Sequence, residues 1–110
     1  MKLPPSMRSR KRYIAFRIIA EGSVSEKMLW DAMMKNLISL FGEVEALDAG
    51  LKLEEFDGNK GIISCKLEAL EKVMIATTLI DKLGEMDVAL ITLGISGTIK
   101  KCRKRLEVVS

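Results

Sequence analysis

The sequence predicts an α+β fold in which two helices cover one face of a β-sheet. Three observations support this fold class. Residues 12–21 alternate between apolar and polar positions like a half-buried strand, two later segments repeat apolar residues at helical spacing, and two short strand-like runs flank a turn. With 48% hydrophobic and 30% charged residues, the 110-residue chain has the composition of one globular domain.

The strand predicted at residues 12–21 has two unlike faces. The face expected in the core carries Ile14, Phe16, Ile18 and Ala20. The other face carries Tyr13, Ala15, Arg17 and Ile19. We expect this second face, together with Ile62 on a later strand, to be open and apolar enough to contact another protein.

A helix is predicted after this strand, because Ser23 and Glu26 have the spacing of a capping box. Its buried stripe consists of Trp30, Met33, Met34, Leu37, Ile38 and Phe41. Gly42 ends the helix, and the linker at residues 42–50 has room for an extra helical turn.

The second half of the chain predicts a hairpin, a helix and a last strand. Residues 51–56 and 62–67 form the hairpin, with residues 57–61 as its turn. Alternation sends Glu54 to one face of the sheet, and Glu55 and Asp57 to the other. A helix at residues 68–83 ends at Gly84, and residues 86–95 form an apolar strand suited to the sheet interior.

This β-α-β-β-α-β order indicates a ferredoxin-like sandwich, because right-handed crossovers place both helices on one face. We divide the chain into a basic extended arm at residues 1–11 and a single ferredoxin-like domain at residues 12–110. That domain includes a basic C-terminal helix at about residues 98–106.

Charge is distributed unevenly along the chain, although the net charge is only +3. Residues 1–17 carry +6 and residues 100–110 carry +4, which leaves −7 for the residues between them. Two basic ends flanking an acidic body favour a bound polyanion. The alternative is that both ends are solubilising tails.

The basic helix near the C-terminus is the most informative segment. Ile99, Cys102 and Leu106 are spaced to contact the domain along one stripe, and a serine or threonine before them can cap the helix. Five basic side chains surround the rest, as in a surface that binds a phosphate backbone. A membrane-surface helix and a helix paired with the acidic body are the alternatives.

Two segments resemble a known family. Residues 3–16, LPPSMRSRKRYIAF, and residues 96–102, SGTIKKC, are similar to the archaeal ribonuclease P protein component 2 family, which has a eukaryotic counterpart in ribonuclease P and MRP. The resemblance implies a ferredoxin-like or RRM-like fold and a non-catalytic RNA-binding subunit of ribonuclease P. Such a subunit supports the catalytic RNA in 5′-end maturation of precursor tRNA.

The resemblance also implies partners: the ribonuclease P RNA, precursor tRNA through the complex, and the barrel-shaped ribonuclease P protein component 3. Self-association in a two-plus-two assembly is a further expectation. The residues expected to bind RNA are Arg8, Arg10, Lys11, Arg12, Tyr13, Arg17, Lys100, Lys101, Arg103, Lys104 and Arg105. Without aromatic residues at positions 62–67 to stack bases, this binding is expected to follow RNA shape.

No catalytic residue is expected in the chain, which contains no histidine. Catalysis is assigned to the RNA and its Mg²⁺, and no cofactor is expected on the protein. Cys65 and Cys102 are expected to be reduced packing residues, and a cytoplasmic protein without a membrane span is predicted. The main alternatives in function are a ferredoxin-like module that binds a small regulatory ligand and an oligomeric assembly module.

Overall fold

The computed structural model describes residues 10–108, which form one five-stranded antiparallel sheet and four α-helices. The elements in chain order are β1 (Lys11–Ala20), α1 (Glu26–Phe41), α2 (Glu43–Asp48), β2 (Lys52–Phe56), β3 (Lys60–Lys66), a 3-10 turn (Leu67–Ala69), α3 (Leu70–Thr78), β4 (Lys82–Leu83), β5 (Met86–Ser96) and α4 (Ile99–Val108). The strands lie in the order β2-β3-β1-β5-β4.

This arrangement confirms the ferredoxin-like prediction and adds two short elements, α2 and β4. The main core lies between the sheet and the helices α1, α2 and α3, and its largest buried side chains include Ile14, Phe16, Leu29, Met33, Leu37, Ile63 and Val73. The core face predicted for β1 is therefore correct. In the described residues, no helix is long and apolar enough to cross a membrane.

The first helix begins two residues later than a cap at Ser23 would require. Ser25 is its N-cap, because the Ser25 side chain accepts a hydrogen bond from the backbone N of Met28 at 3.2 Å. The predicted end at Gly42 is confirmed, since this glycine has a φ of 90° and donates its N–H to the carbonyl of Ile38. The extra helical turn expected in the linker is α2.

The second predicted helix is too long, since α3 ends at Thr78 rather than at residue 83. The hydroxyl groups of Thr77 and Thr78 donate to carbonyls in the preceding turn, and the chain then leaves the helix. Ile80 and Leu83 stand at helical spacing from Val73 and Ala76, which is why the prediction ran on to residue 83, and both are buried although they lie outside α3. Leu83 instead lies in β4, paired with Met86 of β5.

The β2–β3 hairpin contains two glycines, Gly58 and Gly61, and the structure shows a reason for each. The Asp57 carboxylate accepts hydrogen bonds from the backbone N–H groups of Asn59 and Lys60, which lowers the pKa of Asp57. Gly58 has a φ of 97° in this turn. A Cβ on Gly61 would lie 2.8 Å from Cζ of Phe16, so this position requires a glycine for packing.

A β-bulge in β2 corrects the predicted orientation of its acidic residues. The register shifts between Leu53 and Glu55, so Glu54 is the extra residue. The Glu54 carboxylate accepts a hydrogen bond from Ser64, and Glu55 contacts α4. Both carboxylates therefore lie on the sheet face away from α1 and α3, which simple alternation could not predict.

Candidate nucleic-acid interface

Helix α4 covers the middle of the sheet face opposite α1 and α3. A second apolar cluster forms there around Ala15, Ile62 and Cys102, which are all fully buried. Tyr13, Leu93, Ile99 and Leu106 pack against this cluster. The prediction of an open apolar face is therefore wrong at Tyr13 and Ile62, because the chain's own last helix covers them, whereas Ile19 at the far end of β1 is 48% exposed as expected.

Polar contacts fix the position of α4 on the sheet. The Cys102 thiol donates to the carbonyl of Tyr13 at 3.3 Å. Arg103 Nε donates to Glu55 Oε2 at 2.5 Å, and Lys60 Nζ donates to the Leu106 carbonyl at 3.2 Å. The predicted capping of this helix is confirmed, because the Thr98 hydroxyl accepts from the backbone N of Lys101 at 3.4 Å.

Three of the four remaining cations of α4 face away from the domain. Helical spacing places Lys100, Lys101 and Lys104 opposite the apolar stripe, and all three are exposed. Arg105 is also exposed, and its aliphatic stem lies over Gly94 of β5. Between residues 10 and 108, no acidic side chain forms an ion pair with these four cations. Arg103 differs from them because Glu55 already pairs with it.

The predicted cations of the first strand lie at both ends of α4. Arg12 lies near its start, because Arg12 Nη1 is 3.6 Å from where a Cβ on Gly97 would be. Arg17 is exposed and pairs across the sheet with Lys60, whose side chain contacts the end of α4. From Lys11 to Arg17 the strand advances about 20 Å.

The boundary predicted between arm and domain falls just inside the sheet. Lys11 is the first residue of β1 and pairs with Lys66, and the Arg10 carbonyl accepts a hydrogen bond from the backbone N of Leu67 at 2.6 Å. Both side chains are exposed. Arg8, like the rest of residues 1–9, lies outside the described residues.

The structure adds Lys60 and Glu55 to the interface, which the sequence prediction did not include. Lys60 follows the hairpin turn, and its partner in β1 is Arg17. A prediction of which residues of β1 and β3 pair would therefore have placed Lys60 beside Arg17. Glu55 places a carboxylate beside the cationic helix. Its orientation depends on the bulge, which no local pattern of residues indicates.

The cysteines have a packing role, as predicted. Both are free and buried. Burial raises the pKa of the Cys65 thiol to about 11 and also raises that of Cys102. Within residues 10–108, no three histidine, cysteine, aspartate or glutamate side chains are grouped so that they could hold a metal ion.

These features define a class of protein: a ferredoxin-like domain whose second sheet face carries a cationic helix where RRM-type domains present aromatic rings. The model of the Rpp14/Pop5 family matches residues 12–107. The chain belongs to this family, which confirms the resemblance predicted from its two end segments.

The most similar relatives include two archaeal proteins named ribonuclease P protein component 2. The one from Archaeoglobus fulgidus is 58% identical over 107 residues, covering 96% of this chain and 97% of the relative. The one from Pyrococcus horikoshii is 32% identical over 105 residues, covering 94% and 88%. A chain in a cryo-EM structure of yeast ribonuclease MRP shares the fold, with a TM-score of 0.68, 11% identity and coverage of 94% and 90%.

Proposed function

We propose that this chain is a protein subunit of ribonuclease P that binds the catalytic RNA and supports 5′-end maturation of precursor tRNA. Family membership and the names of the archaeal relatives support this role. The observation that carries the RNA-binding part is the cationic side of α4, because the sheet holds it in one orientation and no acidic side chain among residues 10–108 forms an ion pair with Lys100, Lys101 or Lys104. A solubilising tail would need no such anchoring.

The cations neutralise phosphate groups and so allow folded RNA segments to approach the protein and each other. Contacts to the backbone fix position and orientation without reading bases. Tyr13 packs against the cluster under α4, which leaves it poorly placed to stack on a base. Binding is therefore directed by RNA shape.

In this proposal the RNA performs the cleavage with its own bound Mg²⁺, and the protein holds no cofactor. The protein partners are ribonuclease P protein component 3 and a second copy of this chain in a two-plus-two assembly. Precursor tRNA is contacted through the complex, and the assembly works in the cytoplasm. The family resemblance supports the RNA and protein partners, and the cytoplasmic location rests on the sequence alone, which shows no secretory signal or membrane span.

Reconstituted cleavage tests the proposal. The cognate RNA and protein component 3 are assayed on precursor tRNA with and without this chain, which is expected to increase cleavage at limiting Mg²⁺. The triple variant Lys100→Ala, Lys101→Ala, Lys104→Ala is expected to lose most of that increase, because it removes phosphate contacts.

A matched control removes the same charge from elsewhere. The triple variant Lys27→Ala, Lys35→Ala, Lys82→Ala changes three exposed lysines of α1 and β4. It is expected to support cleavage like the unchanged chain. Equal losses in both triple variants would show that only total charge matters and would contradict a specific role of α4.

A further inference from the structure

A cleft of about 330 Å³ lies where β1 extends beyond the turn of the β2–β3 hairpin. We call it the turn cleft, and its lining includes Arg17, Ile19, Ala20, Gly58 and Asn59. The side chains of Arg17 and Ile19 are exposed on the sheet face that also carries α4. A cavity of this volume is at the lower end of the range for ligand sites, which suits a group as small as one nucleotide.

Ala20 turns its backbone N–H and C=O toward the turn cleft. The backbone N of Ile18 donates to the Asn59 carbonyl at 2.7 Å, and every second residue of a strand points its polar groups the same way. The pairing with β5 agrees, because Val88 lies opposite Ala20 and donates its own N–H away from β1, to the Asp81 carbonyl at 3.0 Å. The pairing of β3 with β1 has already ended here, so within the described part of the chain no strand pairs with this edge of Ala20.

Hydrogen bonds hold the turn that forms one wall of the cleft. The Asp57 carboxylate accepts from the backbone N of Asn59 at 2.9 Å and from that of Lys60 at 2.7 Å, so the cleft exists before a ligand arrives. Arg17 is exposed at the opening, and Lys60, its partner in β3, donates to the Leu106 carbonyl at the end of α4. A polyanion that lies along α4 can therefore reach the turn cleft.

We propose that the turn cleft binds one unpaired base of the RNA that lies along α4. The backbone of Ala20 offers one donor and one acceptor, which match the polar edge of a base. The side chain of Ile19, which is 48% exposed, covers part of the face of the base, and Arg17 contacts a neighbouring phosphate. An added β-strand fits poorly, because it needs several consecutive unpaired residues.

This inference rests on the proposed function and adds one base contact to binding that otherwise follows RNA shape. The test uses fluorescence anisotropy with the full chain. The probes are labelled single-stranded RNA oligonucleotides, one for each of the four bases, and an oligonucleotide of the same length whose ribose units carry no bases. The unchanged chain is expected to bind the best of the four about tenfold more tightly than the abasic probe, as one base contact can contribute this much.

Two variants assign this preference to the turn cleft. Ile19→Ser removes the apolar side chain, and Ala20→Pro removes the N–H donor, at a strand edge where proline costs no hydrogen bond of the sheet. Each is expected to lose most of the preference and to bind the abasic probe as before, because Arg17 and α4 are unchanged. The matched control is Ile91→Ser. Ile91 is 42% exposed and pairs with Arg17 on the same face, but it does not line the cleft.

Thermal denaturation shows whether each variant is folded, and Ile19→Ser still tests the cleft if Ala20→Pro unfolds. Equal affinity of the unchanged chain for all probes would overturn the proposal and leave backbone binding intact. A preference that survives in the folded variants would place the base contact elsewhere, which also overturns it. If the unchanged chain bound none of the probes and no cognate RNA, the proposed function itself would fail.

Two other occupants of the turn cleft would contradict the proposal. Free nucleoside monophosphates that bind as tightly as the best oligonucleotide would make the cleft a small-ligand site. Weaker binding of Ile19→Ser to ribonuclease P protein component 3, with an unchanged preference among the RNA probes, would assign the exposed isoleucine to a protein contact.

Discussion

Glu55 is an acidic residue that lies beside the cationic side chains of α4. Its carboxylate pairs with Arg103 at 2.5 Å, and the two side chains are 36% and 56% exposed. The pair helps to orient α4 but removes one of its five basic side chains from the set available to phosphates. An exposed ion pair of this kind contributes about 0.2–1 kcal/mol to stability.

Glu55→Gln is therefore expected to strengthen RNA binding while slightly lowering stability. The substitution removes a negative charge and frees Arg103, so the log-log slope of RNA affinity against salt becomes steeper by about 0.7–0.9. Filter binding at several salt concentrations measures the slope. Glu26→Gln, at the start of α1 on the other side of the sheet, is the control. Weaker RNA binding by Glu55→Gln would mean that the pair's orienting role dominates.

Gly61 is a packing position rather than a flexible one. A Cβ there would meet the ring of Phe16 and the carbonyl of Glu55, both too close for ordinary contact. Gly61→Ala is expected to lower the free energy of unfolding by about 1–3 kcal/mol, as overpacking does. Urea denaturation measures this change. Gly97→Ala is the control, because a Cβ there meets its nearest neighbour, Arg12, at 3.6 Å. Equal stability of the two variants would refute this packing role.

At the scale of elements, α4 is attached more lightly than the other long helices. Cys102 is its only fully buried residue in the described chain, whereas α1 buries Leu29, Met33 and Leu37. Elements with few buried contacts open locally before the whole protein unfolds. Helix α4 is therefore expected to detach from the sheet while the main core remains intact.

The two cysteines can report this opening. Cys102 lies under α4, and Cys65 lies in the main core. Because burial raises the pKa of both thiols, both are protected as neutral thiols in the closed protein at pH 8. We expect iodoacetamide to modify Cys102 well before Cys65, as followed by mass spectrometry of digested samples. Bound RNA should slow the reaction of Cys102. Equal rates at both cysteines would show that α4 opens only with global unfolding.

The sequence could predict those elements whose pattern is local. Alternation located β1 and its core face, and Gly42 marked the end of α1. The helical pattern failed after Thr78. Ile80 and Leu83 have the spacing of buried helix residues and are buried, but they lie beyond the end of α3, and Leu83 belongs to β4. Alternation also failed at the β2 bulge, because nothing local signals that Glu54 has no partner residue in β3.

The candidate site was predicted only in part, because local patterns identify its side chains but not their neighbours in the fold. Charge and spacing identified the cations of α4 and its apolar stripe, and Lys100, Lys101, Lys104 and Arg105 are indeed exposed. Which face of the sheet α4 covers is a long-range property that no periodicity encodes. The sequence therefore left Tyr13 on an open surface, and it missed both Lys60 and the pairing of Arg103 with Glu55.

At the scale of the molecule, the two faces of the sheet differ in charge. Helix α4 and the exposed cations of β1 lie on one face, and the acidic side chains of α2, Glu43, Glu45 and Asp48, lie on the other. An RNA-binding protein built this way should show strongly salt-dependent affinity, whereas a small-ligand module should be far less sensitive.

The triple variant of Lys100, Lys101 and Lys104 to alanine is expected to reduce the salt slope by about 2 on single-stranded RNA, at about 0.7 per phosphate contact. Fluorescence anisotropy with labelled RNA measures the slope. The triple variant of Lys27, Lys35 and Lys82 should leave it near the original value. A slope that is small for the unchanged chain would favour the ligand-module alternative.

The separation of charge across the sheet also affects how the protein meets its target. A body with one positive and one negative side has a large dipole moment, and the field of a polyanion turns such a body during diffusion. The molecule would then reach the nucleic acid with α4 leading, which reduces the fraction of unproductive collisions and raises the association rate at low ionic strength. The short helix α2 on the far side would then point away from the RNA.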